Sequence, residues 1–209
     1  MKEIKNIIKL SQNELKKFLL NIIETNNFEK ENYIKYLSMQ YHLTQNVQKD
    51  FFLVASHESL FNKLSLRKFL FNFALEEEKH FLIALNDIKN SNAILHSICL
   101  DTQLWKNFFD KKIITNPFLR LGATCILENI TSESENLLNI LLEKADFITT
   151  KNVKFITIHR HDESLPHGDE ILINLAKANL NDQEYSDLKL GAKYGKIMFM
   201  RMLNNCFYN

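Results

Sequence analysis

Only 4 glycines and 2 prolines occur among 209 residues, and that scarcity restricts the fold more than any other feature. Sheet proteins reverse the chain often, and tight turns draw on Gly and Pro. A chain with so few of either is expected to run in long helices joined by polar Asn, Ser and Asp loops. Apolar residues recurring at a 3.6-residue period mark about seven such helices. They run from Ser11 to Glu24, Asn27 to Ala55, Leu64 to Asn90, Asp101 to Phe109, Pro117 to Leu142, Asn152 to Ala178 with an interruption at Pro166-His167-Gly168, and Gln183 to Cys206. Ser11 and Glu14 have the form of a capping box, and Pro117 suits a first helical turn. The expectation is an all-α bundle folded as a single domain over residues 1–209.

Charge and cysteine content narrow the function. Lys and Arg number 26 against 25 Asp and Glu, a formal net charge of +1. So balanced a chain has no bulk attraction for phosphate backbones or anionic lipid, and neither nucleic acid nor a membrane is expected as partner. No run of about 18 apolar residues occurs, so no transmembrane helix is expected. The amphipathic start, MKEIKNIIKLSQNELKKF, lacks the apolar core of a signal peptide. Cys99, Cys125 and Cys206 are far apart and form no CxxC. They suit a reducing cytosol rather than a disulfide framework or zinc ribbon, so a cytoplasmic location is expected.

Three stretches carry acid and histidine residues at helical ligand spacing. In ALEEEKHFLIAL, Glu77 and His80 stand at i and i+3, on one helical face beside apolar Phe81, Leu82 and Ile83. In LGATCILENITSE, Glu128 follows Ala123, Cys125, Ile126 and Leu127. A carboxylate in such surroundings costs several kcal/mol unless it is compensated. In FITIHRHDESLPHGDEILINL, His159, Glu163 and His167 stand at i, i+4 and i+8, with His161 and Asp162 between them. Taken alone, EEEKH reads as a solvated acidic face and Glu128 as an exposed or helix-end residue. Together, a bundle that brings Glu-x-x-His, Glu and a His/acid row to one place has what a non-haem di-iron carboxylate site requires.

These residues resemble the signature of the haem-oxygenase-like di-iron oxidases, often called iron-containing redox enzymes. In that superfamily an EE-x-H helix precedes an isolated Glu on the next long helix, and a His-x-x-x-Asp-x-x-His row follows. Here the elements read Glu77-Glu78-Lys79-His80, Leu127-Glu128 and His159-x-x-x-Glu163-x-x-x-His167. The third row carries Glu163 where the family has Asp, and His167 stands one residue later. A kink beside Pro166 would absorb the extra residue, and Asp162 is the substitute ligand if the helix winds differently. The preceding helix, Met39-Gln40-Tyr41-His42-Leu43-Thr44-Gln45, lacks the acid that the family supplies. His42 or Glu58 is the candidate replacement.

The resemblance implies a haem-oxygenase-like bundle and two non-haem iron ions, the second one labile. Their ligands would be Glu77, His80, Glu128, His159, Glu163 and His167, with Glu128 as the bridge. It further implies dioxygen-dependent oxidation of a small amine, amino-acid or carboxylic-acid substrate. Reactions of the superfamily include N-oxygenation, oxidative C–C cleavage and p-aminobenzoate formation from a tyrosine of the protein itself. Tyr41, beside His42, is the tyrosine to watch for that last route. A homodimer is expected, since helical bundles often associate through their helices. Two rivals stand beside this reading. One is a metal-free enzyme of thiaminase-like or quinone-biosynthesis type, in which the His and Glu residues are acid/base groups. The other is a bacterial interaction or effector protein with a vestigial site.

Overall fold

The computed structural model describes residues 1–158 and 167–208, and among them every regular element is helical. The chain runs through α1 (Lys2–Thr25), α2 (Lys30–Thr44), α3 (Val47–Ser56), α4 (Leu64–Glu76) and α5 (His80–Asn90). It continues through α6 (Leu100–Trp105), a π turn (Lys106–Asp110), α7 (Pro117–Leu127) and α8 (Glu135–Lys144). Short α9 (Lys154–Ile158), α10 (His167–Lys177) and long α11 (Asp182–Tyr208) complete the order.

Three of the helices expected from periodicity are broken in the structure. The Asn27–Ala55 stretch divides at Asn46 into α2 and α3, and Pro117–Leu142 divides after Leu127 into α7 and α8. The Leu64–Asn90 stretch divides at Lys79, whose φ of 73° is left-handed. In Asn152–Ala178, where an interruption at Pro166-His167-Gly168 is expected, the described residues form α9 and α10, and His167 and Gly168 belong to α10. An apolar period runs through such a break whenever both halves bury the same side. The first helix differs in the other direction, because α1 begins at Lys2. Ser11 is therefore no N-cap: it lies buried in mid-helix, where its hydroxyl donates to the Ile7 carbonyl at 2.8 Å. Pro117 does open α7, whose first turn is capped by the Asn116 side chain accepting from the Leu119 amide.

Helix α7 is buried from Pro117 to Ile126 and forms the centre of the bundle. A helix apolar on all sides belongs inside. It packs along α11, and glycines let the two backbones meet. A Cβ added to Gly191 would stand 2.0 Å from the Leu119 carbonyl oxygen, and one on Gly122 would stand 2.0 Å from that of Leu188. None of the glycines has positive φ; among the described residues the left-handed positions are Asn26, Asn92, Asn179 and Lys79. Asn is the non-glycine residue best suited to that conformation, so turns made without glycine are mostly made with Asn.

A second, smaller apolar cluster joins α2, α5 and α9 through Tyr33, Leu37, Ala84, Ile88 and Phe155. Buried Asp87 of α5 ties α9 to it, its Oδ2 accepting from the Phe155 amide at 2.7 Å. Burial raises the pKa of Asp87, while that hydrogen bond and Lys154 oppose the rise. The three cysteines are free thiols, and burial pushes Cys206 up to about 12. No described helix is long and apolar enough to cross a membrane.

Candidate functional site

The breaks coincide with the candidate ligands. Glu76 ends α4, Glu77 is its C-cap, and His80 is the first residue of α5. Glu77 and His80 therefore meet across a left-handed turn at Lys79 and not along one helix. His80 Nδ1 lies 2.8 Å from Glu77 Oε2, and the Glu77 side chain is only 7% exposed. Glu128 is the C-cap of α7, and His167 is the first residue of α10. His167 Nε2 lies 2.8 Å from Glu76 Oε2, and its Nδ1 lies 3.9 Å from Glu128 Oε2. The Phe73 ring stands edge-on to the His167 imidazole, with centroids 4.9 Å apart.

All five of these side chains line one cavity of about 700 Å³. Leucines and phenylalanines of α1, α8 and α11, among them Leu15, Phe18, Leu138 and Leu203, supply its apolar walls. Its polar lining includes Thr44, Thr131, Ser132 and Glu135 besides these groups. From α2 come Tyr36 and Gln40, with Gln40 Nε2 donating to the Tyr36 hydroxyl at 3.1 Å. From α7 come Arg120, Thr124 and Glu128, spaced four residues apart and so on one face.

Other sequence candidates lie elsewhere. His42 does not line the cavity; its Nε2 is 2.8 Å from the His96 carbonyl oxygen, beside a separate pocket of about 180 Å³. Two residues make that difference, since Gln40 of the same helix faces the cavity. Glu58 sits exposed in a 3-10 turn outside the cavity lining. Tyr41 packs edge-on to His42 and Phe81, whereas Tyr33 and Tyr36 are the tyrosines lining the cavity. The Tyr33 hydroxyl donates to the Asn152 carbonyl at 2.7 Å, and burial pushes its pKa far up. His159, Glu163 and Asp162 lie outside the described residues.

Two cavity-lining side chains escaped the sequence reading. Glu76 precedes Glu77 in a run of three acids, and nothing in that run marks which acid turns inward. Arg120 did carry a signal, as the one charged residue in PFLRLGATCIL. It is 2% exposed.

A crystal structure of a domain of unknown function from Shewanella denitrificans OS217, described as having a haem oxygenase-like fold, matches this chain with a TM-score of 0.80. The match covers 98% of this chain and 89% of that one, at 20% sequence identity. The fold is haem-oxygenase-like. No family model and no curated protein matches the chain. In this haem-oxygenase-like bundle the cavity lies between the helices, where bundles build ligand and metal sites from facing side chains.

The donor chemistry at the cavity fits iron in kind. Glu76, Glu77 and Glu128 offer hard oxygen ligands, His80 and His167 offer imidazole, and no thiol lines the cavity. In spacing the described residues supply pairs: no three His, Cys, Asp or Glu among them are grouped closely enough to hold a metal ion.

Proposed function

We propose that the chain is a non-haem di-iron oxidase or oxygenase that uses dioxygen to oxidise a small amine, amino-acid or carboxylic-acid substrate. One observation carries this reading: four carboxylates, Glu76, Glu77, Glu128 and Glu135, and two imidazoles line a single cavity in a haem-oxygenase-like fold. Glu77, His80, Glu128 and His167 would hold the iron, joined by His159 and Glu163 of the third stretch, with Glu76 as a further donor. Bound iron would supply dioxygen activation, which no side chain provides by itself.

The chain's own groups orient and enclose. Glu77 fixes the His80 ring by taking its Nδ1–H, the role a carboxylate commonly plays beside a ligating imidazole. Phe73 holds the plane of His167 from the side. The apolar walls would enclose the nonpolar part of a substrate.

Iron content tests the reading. Wild type loaded anaerobically with ferrous salt should retain iron, and Glu128→Ala and His80→Ala should each lower the amount bound. Iron content unchanged in both variants would contradict it. The metal-free alternative draws on the two 2.8 Å Glu–His pairs, which are already complete as acid/base couples. Under that alternative wild type retains no iron.

A further inference from the structure

The smaller pocket, beside His42, brings two thiols together. Cys99 is the N-cap of α6, Cys206 stands near the end of α11, and both line that pocket. Their meeting follows from the way the two segments run. Phe108, just past α6, packs edge-on to Tyr194, with ring centroids 5.5 Å apart. Further along, Asp101 pairs with Arg201 at 2.9 Å, and the Thr102 hydroxyl donates to Met202 Sδ at 3.3 Å. Numbering falls along one segment as it rises along the other, so the two are antiparallel. One more turn in that register brings the start of α6 to Cys206. The Thr102 oxygen also lies 3.1 Å from Cys99 Sγ. It thus touches both Cys99 and the residue one helical turn before Cys206.

The two thiols differ in their surroundings. Burial first, and then the charge of Cys99, push Cys206 up, against the pull of Lys35. Cys99 is half-buried and shares the pocket with Lys35, His42 and His96. No Asp or Glu among the described residues lines it, although exposed Glu31 pairs with His96 at 3.4 Å. Partial exposure beside basic groups is the setting in which a cysteine reacts as thiolate. Cys125 is the contrast: it is fully buried in α7 and lines neither cavity.

We propose that Cys99 and Cys206 are a dithiol site for hydroperoxides, which oxidise the pair to a disulfide across this pocket. The Cys99 thiolate attacks one peroxide oxygen; an S–O bond forms, the O–O bond breaks, and hydroxide leaves. The Cys206 sulfur then attacks the Cys99 sulfenic acid, its proton goes to the departing oxygen, and water is released. Two thiols lose two electrons and two protons, and one hydrogen peroxide becomes two waters. Cys99 reacts first because it is the more exposed, and Cys206 resolves the intermediate from the adjoining helix. Leu203 and Phe207, either side of Cys206, line the larger cavity, so the bond ties one wall of that cavity to the start of α6. The pairing holds whether or not the larger cavity binds iron.

Peptide mapping of the iron-free full chain after treatment with hydrogen peroxide tests the proposal. The reduced protein is freed of reductant, oxidised, alkylated in denaturant and digested with trypsin, which puts the three cysteines on separate peptides. The Cys99 and Cys206 peptides should appear joined, two hydrogens lighter than their sum, with Cys125 alkylated. Cys99 should lose its thiol at least about 10-fold faster than Cys125. Cys206→Ala should stop Cys99 at the sulfenic acid, which dimedone captures, and Cys99→Ala should leave Cys206 a thiol. Circular dichroism checks that both variants are folded, and the wild-type map decides alone should either fail to fold. Cys99 oxidised to sulfinic acid with Cys206 still a thiol would overturn the proposal. So would a bond between two chains, seen as a dimer on a non-reducing gel, or both thiols left unreacted while Cys125 oxidises equally fast.

Discussion

Glu76 and His167 are 91 residues apart in the chain, yet Oε2 of the first lies 2.8 Å from Nε2 of the second. The adjacent acid, Glu77, pairs with a different imidazole, His80. Two neighbouring carboxylates thus clasp the first residues of two helices, α5 and α10, while Glu128 approaches from the end of α7. Helix ends can place side chains from different directions, which a single helical face cannot do. If the cavity binds iron through these groups, His167→Ala should reduce iron content at least as far as Glu128→Ala does. His42→Ala and Glu58→Ala should leave it at the wild-type level, because neither residue lines the cavity. Iron analysis after desalting checks all four variants.

Lys79 adopts φ 73° without being glycine or asparagine. A left-handed non-glycine residue costs about 1–2 kcal/mol, so Lys79→Gly should stabilise the fold by about 1 kcal/mol, partly offset by unfolded-chain entropy. Thermal melting should rise by about 2–4 °C for a protein of this size. Lys79→Val should lower the melting temperature, and a β-branched residue tolerated without loss would show that the turn can be made another way.

The Asp50 carboxyl is pushed up from 3.8 to about 6, first by burial and then by Asp110, against the pull of Arg120, Lys106 and Lys49. In the folded state it keeps its proton over a range where the unfolded chain has released it. Its contribution to stability is full below about pH 4 and is lost as the pH rises through about 6. Asp50→Asn removes that dependence. The difference in unfolding free energy between variant and wild type should shift by about 2 kcal/mol in favour of the variant between pH 4 and pH 7. Urea titrations across that range measure it, and a flat difference would contradict the assigned environment.

The α7–α11 crossing should be intolerant of even one methyl group. Gly191→Ala places a carbon 2.0 Å from a backbone carbonyl oxygen, which no rotamer change relieves. The expected cost is about 3 kcal/mol or more, at the upper end of what overpacking produces. Chemical denaturation should show it as a lower midpoint with an unchanged slope.

Much of this molecule was legible in its sequence, and the rest was hidden for definite reasons. Scarcity of Gly and Pro meant helices and polar turns, and Asn26, Asn92 and Asn179 make left-handed turns as that reading expects. The glycines themselves were uninformative until Gly122 and Gly191 proved to sit at a helix crossing. Helix breaks were hidden because the apolar period continues on either side of Lys79 and of Glu128. Glu77, His80 and Glu128 stood out as polar groups against apolar flanks and His167 by its spacing from His159, and all four line the cavity. Arg120 stood out by the same criterion and passed unnoticed because it resembles no metal ligand. Which of Glu76, Glu77 and Glu78 faces inward depends on how the end of α4 packs, which composition and periodicity do not reveal.

Iron stoichiometry followed by reaction with dioxygen tests the central claim most directly. The full chain, loaded anaerobically with ferrous iron and freed of excess, should hold two irons per chain and develop transient visible absorption on mixing with dioxygen. A chain that holds no iron under those conditions, with His80 and His167 intact, would contradict the oxidase and leave the two Glu–His pairs as acid/base groups.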